Sequence, residues 1–292
     1  MTFNPNSDIS GGKTSRRGRT TGIAVGGGLG AIALFLISQF LGVDLTGLVG
    51  GGQQDPSATD SALQECQTGQ DANERIDCRM QGAAASLEDY WQDAGPQIGV
   101  DYVGPQDLIL FSQAVATGCG NASSATGPFY CPPDQTIYID TSFYDTLEQQ
   151  FGAESGPLAE MYVVAHEWGH HVQNLAGILE SSQDGQTGPT SNAVRVELQA
   201  DCFAGAWAAS ASKTEDENGV TFLQPITPEQ YTEALSAAAA VGDDRIQETT
   251  QGQVNPHQFT HGTSEQRVRW FEAGYDNGAG ACDTFGVSGN DL

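Results

Sequence analysis

Residues 163 to 173 read VVAHEWGHHVQ. Three of the chain's five histidines, His166, His170 and His171, sit here with Glu167 inside a run whose apolar residues predict a buried helix. Ionisable groups on such a helix are costly unless something faces them, so any fold of this chain must bring partners to that surface. On an α-helix His166 and His170 lie about 40° apart around the axis and one turn apart along it, so their rings can converge on one ion. His171 is turned about 100° further and cannot join them. The pattern is H-E-x-x-H. Two neutral imidazoles suit zinc at about 2.0 to 2.1 Å, and Glu167, to one side of the same face, is placed to take a proton from a zinc-activated water.

A third protein ligand must come from elsewhere. An extended H-E-x-x-H-x-x-G-x-x-H site would need glycine at 173 and histidine at 176, where this chain has Gln173 and Ala176. The stretch RVELQADCFAG offers another solution, because Glu197 and Asp201 are four residues apart and share a helix face. Glu197 can complete a His₂Glu site, and Asp201 can accept the other ring N–H of a ligating histidine. Their neighbours Leu198, Ala200, Cys202, Phe203 and Ala204 are apolar, which makes an acidic pair without a task expensive to bury.

With these stretches in view, the chain resembles the neutral zinc metallopeptidase family of the wider glutamate-zincin group. The resemblance rests on HEWGHHVQ, on RVELQADCFAGAW at 195 to 207, and on FTHGTSEQRVRWFEAGY at 259 to 275. It implies zinc held by His166, His170 and Glu197, with Glu167 as general base. THGTSEQR is similar to the T-H-P-x-x-x-x-R element of membrane-linked glutamate-zincins, with Gly262 where proline is usual. By that similarity His261 would stabilise the oxyanion and Arg267 would brace the zinc-side carboxylates. His257 reads as an exposed loop residue, and no spacing selects Tyr162 or Tyr231 as a further donor. Trp207 and Trp270 read as core.

Thr20 to Val43 carries no charged residue over 24 positions, which as helix would span roughly 36 Å. Lys13, Arg16, Arg17 and Arg19 precede it and Asp44 follows, so the positive-inside rule predicts a cytoplasmic N-terminus. No A-x-A site follows the run, which favours a retained anchor over a cleaved signal. The expected organisation is therefore a cytoplasmic basic tail over 1–20, a transmembrane anchor over 21–43, a flexible linker over 44–62 and a zinc metallopeptidase domain over 63–292. The protein is expected to be single-pass, in the cell membrane, with the catalytic domain outside the cytoplasm. Gly22, Gly26 and Gly30 have the spacing of a weak anchor-mediated dimer.

Of 11 basic and 37 acidic residues, the first 43 positions hold four and one, so the remainder is strongly acidic. Such a surface repels nucleic acid and leaves a peptide or protein as the expected substrate. Cys66, Cys78, Cys119, Cys131, Cys202 and Cys282 all follow the apolar run, and none forms a C-x-x-C. Fifteen connectivities are possible. The expected pairs are the two local ones, Cys66 with Cys78 and Cys119 with Cys131, which leave Cys202 for Cys282.

The expected fold class is α+β, a mainly helical zincin-like ectodomain with a small β-sheet, preceded by one transmembrane helix. Strands are predicted at 107–111 and 136–140, and helices at 83–93, 142–151, roughly 157–177 and roughly 190–212. Two more helices should follow Thr227-Pro228 and Thr263 or Ser264 as caps. The expected activity is zinc-dependent hydrolysis of peptide bonds. Two alternatives remain open, a non-catalytic zinc-stabilised binding domain and a zinc amidase acting on cell-wall peptide.

Overall fold

A computed structural model describes residues 2–17 and 60–292. Its centre is a five-stranded sheet in the order β2-β1-β3-β7-β6, formed by β1 (Thr14–Arg17), β2 (Asp60–Ala62), β3 (Asp107–Phe111), β6 (Phe129–Cys131) and β7 (Thr136–Asp140). β1, β3 and β7 run parallel, while β2 and β6 are antiparallel edges. β4 (Ala114–Thr117) and β5 (Gly120–Ser123) form a separate hairpin. The near-continuous apolar runs DLILF and TIYID have the pattern of strands covered on both faces. Leu108, Leu110, Ile137 and Ile139 enter the main core, and the alternate Ile109, Phe111 and Tyr138 join Phe129 in a smaller cluster opposite.

The helices are α1 (Gly69–Glu74), α2 (Ile76–Gln97), α3 (Phe143–Gln149), α4 (Pro157–Leu175), α5 (Ile178–Ser181), α6 (Asn192–Ser210), α7 (Pro228–Ala240), α8 (Asp243–Gln251) and α9 (Ser264–Asn277). Thr227 and Thr263 each make a capping box, with Gln230 and Gln266, so the starts of α7 and α9 are written locally. α6 is packed against α4 on one side and α9 on another. The α6–α9 approach is close enough that a Cβ on Gly205 would collide with the Phe271 carbonyl, and one on Gly274 with the Cys202 carbonyl. The Cys202–Cys282 disulfide ties α6 to the segment after α9. Cys66–Cys78 and Cys119–Cys131 are the other two bridges, so the three pairs are those expected.

The N-terminus corrects the anchored, single-pass reading. Phe3 and Ile9 are fully buried, Asn4 N–H donates to the Phe222 carbonyl at 2.9 Å, and β1 lies between β2 and β3. Residues 2–17 are thus woven into the body rather than set apart as a cytoplasmic tail. Arg17 is paired in register with Asp60 across adjacent antiparallel strands, so residues 17 and 60 lie side by side at the same end of the sheet. A single-pass helix would hold its ends about 30 Å apart, on opposite sides of a bilayer. Among the described residues no helix is long and apolar enough to cross a membrane. The expected anchor at 21–43, its glycine spacing and linker residues 44–59 lie outside the described residues.

Two of the four basic residues behind the positive-inside expectation take part in contacts within the fold: Arg16 is ion-paired with Glu65 at 2.9 Å and with Asp77, and Arg17 Nη1 donates to the Ala116 carbonyl at 2.6 Å.

Candidate metal centre

α4 and α6 cross so that one face of each supplies part of a buried cluster. Gly169 allows this approach: a Cβ there would stand 3.0 Å from the Ala200 Cα. From α4, His166 and His170 turn their Nε2 atoms toward the Glu197 carboxylate of α6, His166 at 3.1 Å from Oε2 and His170 at 3.5 Å from Oε1. The donor atoms of these three residues all lie within 4.8 Å of one another. Two ligands each ~2.0 to 2.1 Å from a tetrahedral zinc ion sit ~3.3 Å apart, so the observed spacings fit that ion. The chemistry fits as well, since two imidazoles and one carboxylate form the donor set of catalytic zinc sites with an open fourth position.

The rings are held from behind. His166 Nδ1–H donates to Asp201 Oδ1 at 2.8 Å, leaving Nε2 to face the cluster. Asp201 is itself gripped by Arg267, whose Nε and Nη2 donate to the two carboxylate oxygens at 2.8 and 2.9 Å, and by the Tyr162 hydroxyl at 2.5 Å. His170 Nδ1–H donates to Gln173 Oε1 at 2.8 Å. Gln173 Nε2 donates in turn to the Val196 carbonyl and to Gln199 Oε1, and Gln199 Nε2 donates to the Cys282 carbonyl at 2.8 Å. The support of His170 therefore runs back to the Cys202–Cys282 bridge.

Neighbouring charges, working against burial, set most of the charge states. It would push the His166 imidazole down, but the Asp201 and Glu197 carboxylates outweigh it and raise the ring to about 9. Burial would raise Glu197, yet His170, His261 and His166 hold it well below the usual carboxylate range. Asp201 is likewise lowered: burial opposes ionisation, and Arg267 and His166 overcome it. Glu167 goes the other way. Burial raises its carboxyl, with His170, His166 and the Tyr130 backbone N–H opposing.

His166 gives a pH-dependent expectation. A folded-state value of about 9 against the ordinary 6.5 means that the protonated ring stabilises the metal-free fold fully below pH 6.5 and loses that effect as pH rises through about 9. Zinc requires the neutral ring, so uptake within this window should release about one proton from His166. Calorimetry of zinc binding at pH 7.5 in buffers of different ionisation enthalpy should reveal that release. Binding heats independent of buffer would contradict it.

His261 stands at the other side of the centre. Its Nδ1 lies 3.2 Å from Asp243 Oδ1, while Nε2 is buried with no hydrogen-bond partner among the described residues. Burial would lower this ring, but Glu197 and Asp243 raise it. Asp243 Oδ2 also accepts the backbone N–H groups of Thr260, His261 and Gly262. Gly262 has φ of 86°, a value proline cannot adopt, so this turn is built on glycine and Asp243.

Some candidates lie elsewhere. His171 is fully buried against the Tyr130 hydroxyl and the Val103 carbonyl, at 3.0 and 2.7 Å. His257 is exposed. Tyr162 donates its hydroxyl to Asp201, and Tyr231 donates to Glu272, so neither stands as a free donor. Sequence reasoning missed Asp243 and the Gln173–Gln199 relay. Gln173 had a legible signal, three residues beyond His170 on one helix. Asp243 had none, because an acidic first residue of a helix is unremarkable for its effect on the helix dipole.

A family model described as "Putative neutral zinc metallopeptidase" matches residues 5–285. The chain belongs to this family. Its match begins within the N-terminal segment that joins the sheet. The chain is 47% identical over 256 residues to the uncharacterized protein Rv2575 of Mycobacterium tuberculosis, covering 86% of each chain. It is 41% identical over 268 residues to the uncharacterized protein YpfJ of Escherichia coli, covering 90% of this chain and 88% of that one. No solved structure matches the chain.

Proposed function

We propose that this member of the zinc metallopeptidase family hydrolyses peptide bonds at the His166, His170 and Glu197 cluster. The observation that carries the reading is Glu167, a buried carboxyl beside the donor set that the set does not use. A domain that only bound metal would have no need of it. Zinc held there would polarise the scissile carbonyl and lower the pKa of a water.

Burial raises the affinity of Glu167 for protons, which suits a group that takes a proton from the attacking water and returns it to the leaving amine. His261 offers a buried Nε2 for the oxyanion that develops on the carbonyl. Asp243 keeps that ring in place through Nδ1. Asp201, Arg267 and Tyr162 fix His166, and Gln173 fixes His170, so both imidazoles would meet a zinc ion with little reorganisation.

The test is cleavage of unfolded protein and mixed peptides by the full chain, followed by chelation and zinc readdition. Activity should disappear with chelator and return with zinc, while the chelated protein melts at lower temperature. Tight zinc binding with no peptide cleaved would favour the non-catalytic binding domain instead.

A further inference from the structure

The two imidazoles of the metal centre are held by unlike groups. His166 meets a carboxylate, Asp201, whereas His170 meets a neutral carboxamide, Gln173. A carboxylate accepts the ring N–H with either oxygen. A carboxamide does so only one way round: its oxygen takes the Nδ1 proton and leaves a lone pair on Nε2, while its NH₂ would donate to Nδ1 and drive the proton to Nε2. The flipped amide would turn an N–H, not a lone pair, toward Glu197. Gln173 is fully buried, so solvent does not orient it.

The orientation is imposed from the other end of the amide. Gln173 Nε2 donates to two acceptors, the Val196 carbonyl at 2.7 Å and Gln199 Oε1 at 3.0 Å. A flipped Gln199 would set NH₂ against NH₂, and the Cys282 carbonyl prevents this by accepting Gln199 Nε2 at 2.8 Å. That carbonyl belongs to a C-terminal segment strapped onto α6. Cys282 is bonded to Cys202, Thr284 Oγ1 donates to the Arg195 carbonyl at 2.7 Å, and Arg195 Nη1 donates to the Thr284 and Val287 carbonyls. Arg195, Gln199 and Cys202 fall at i, i+4 and i+7 and form one stripe of the helix, while Glu197 and Asp201 form another. α6 thus meets the donor set with one stripe and grips the strap with the other.

We infer that Gln199 is a positioning residue of the metal centre: anchored by the disulfide-tied segment 282–287, it locks the Gln173 oxygen toward His170 and so sets how tightly the centre holds its metal. The inference rests on the reading of His166, His170 and Glu197 as zinc ligands, not on which bond is cleaved.

The test uses the full chain, with zinc affinity read against a competing chelator and the histidine rings read by nitrogen-15 NMR with and without zinc. Gln173→Met should remove the hydrogen-bonded Nδ1 proton signal of His170 but not that of His166, and weaken zinc binding about 10- to 100-fold. Gln199→Met removes one of the two acceptors that orient Gln173, so zinc affinity should fall about 2- to 10-fold. A second His170 tautomer should appear in its zinc-free spectrum. Cys202→Ala combined with Cys282→Ala should lower zinc affinity no more than Gln199→Met does, and no further when added to it. Its melting temperature should fall in both backgrounds, because the bridge also restrains the unfolded chain, and this separates stability from affinity. Wild-type zinc affinity in Gln199→Met would overturn the inference, as would a bridge effect on affinity that is equally large with and without Gln199. Should the bridge-free chain fail to fold, Gln199→Met decides alone. If the wild type takes up no zinc, the ligand reading fails, and the zinc-free spectra of Gln199→Met still decide the relay: a second tautomer supports it and an unchanged His170 ring refutes it.

Discussion

Glu167→Gln is expected to lower peptide hydrolysis about 10²- to 10⁴-fold while zinc content stays unchanged. Glutamine keeps the size of the side chain but cannot take the proton of the attacking water. Because Glu167 lies outside the donor set of His166, His170 and Glu197, the substitution removes proton transfer without removing a ligand. Its buried carboxyl is raised, so the amide also relieves a desolvation cost, and the melting temperature should hold or rise. Single-turnover hydrolysis, metal analysis and thermal melting on one preparation check all three statements. A variant that cleaves at the wild-type rate would remove Glu167 from the chemistry.

The second large effect concerns what holds His166. Asp201 is fully buried and receives Arg267 through two hydrogen bonds, the Tyr162 hydroxyl and the His166 ring. Asp201→Ala leaves the buried Arg267 guanidinium unpaired, which should cost about 3 to 5 kcal/mol, a fall of roughly 6–20 °C in melting temperature. It also frees the His166 ring to rotate, so zinc affinity should drop about 10- to 100-fold. The double variant Asp201→Ala with Arg267→Met separates the two losses. Removing both charges should recover much of the stability without recovering the affinity. Recovery of both would mean that Asp201 acts only by neutralising Arg267.

Local signals made the α4 half of the centre legible. His166, Glu167 and His170 follow from helix geometry over five residues, and the exclusion of His171 follows from the same 100° step. The face shared by Glu197 and Asp201 was readable too, because two carboxylates among apolar neighbours require partners. Strands β3 and β7 fall on the predicted residues, being apolar runs of ordinary strand length. β4, β5 and β6 were missed: AVAT, GNAS and FYC are three or four residues long and carry no usable alternation.

The largest error was at the N-terminus, where a charge-free run and four basic residues outweighed Phe3 and Ile9. Those two residues belong to the core through pairings with distant parts of the chain, such as the Phe3–Leu223 bridge. No short-range pattern encodes such a pairing. Asp243 was lost for the same reason, as its partners at 260–262 lie across a turn whose geometry depends on the positive φ of Gly262.

The central claim is that His166, His170 and Glu197 together hold zinc, and metal content after exhaustive dialysis tests it most directly. Wild type and His171→Ala should each retain about one zinc per chain, because His171 is occupied by Tyr130 and Val103 away from the donor set. Glu197→Ala should retain almost none. Zinc kept by Glu197→Ala and lost by a folded His171→Ala would contradict the account.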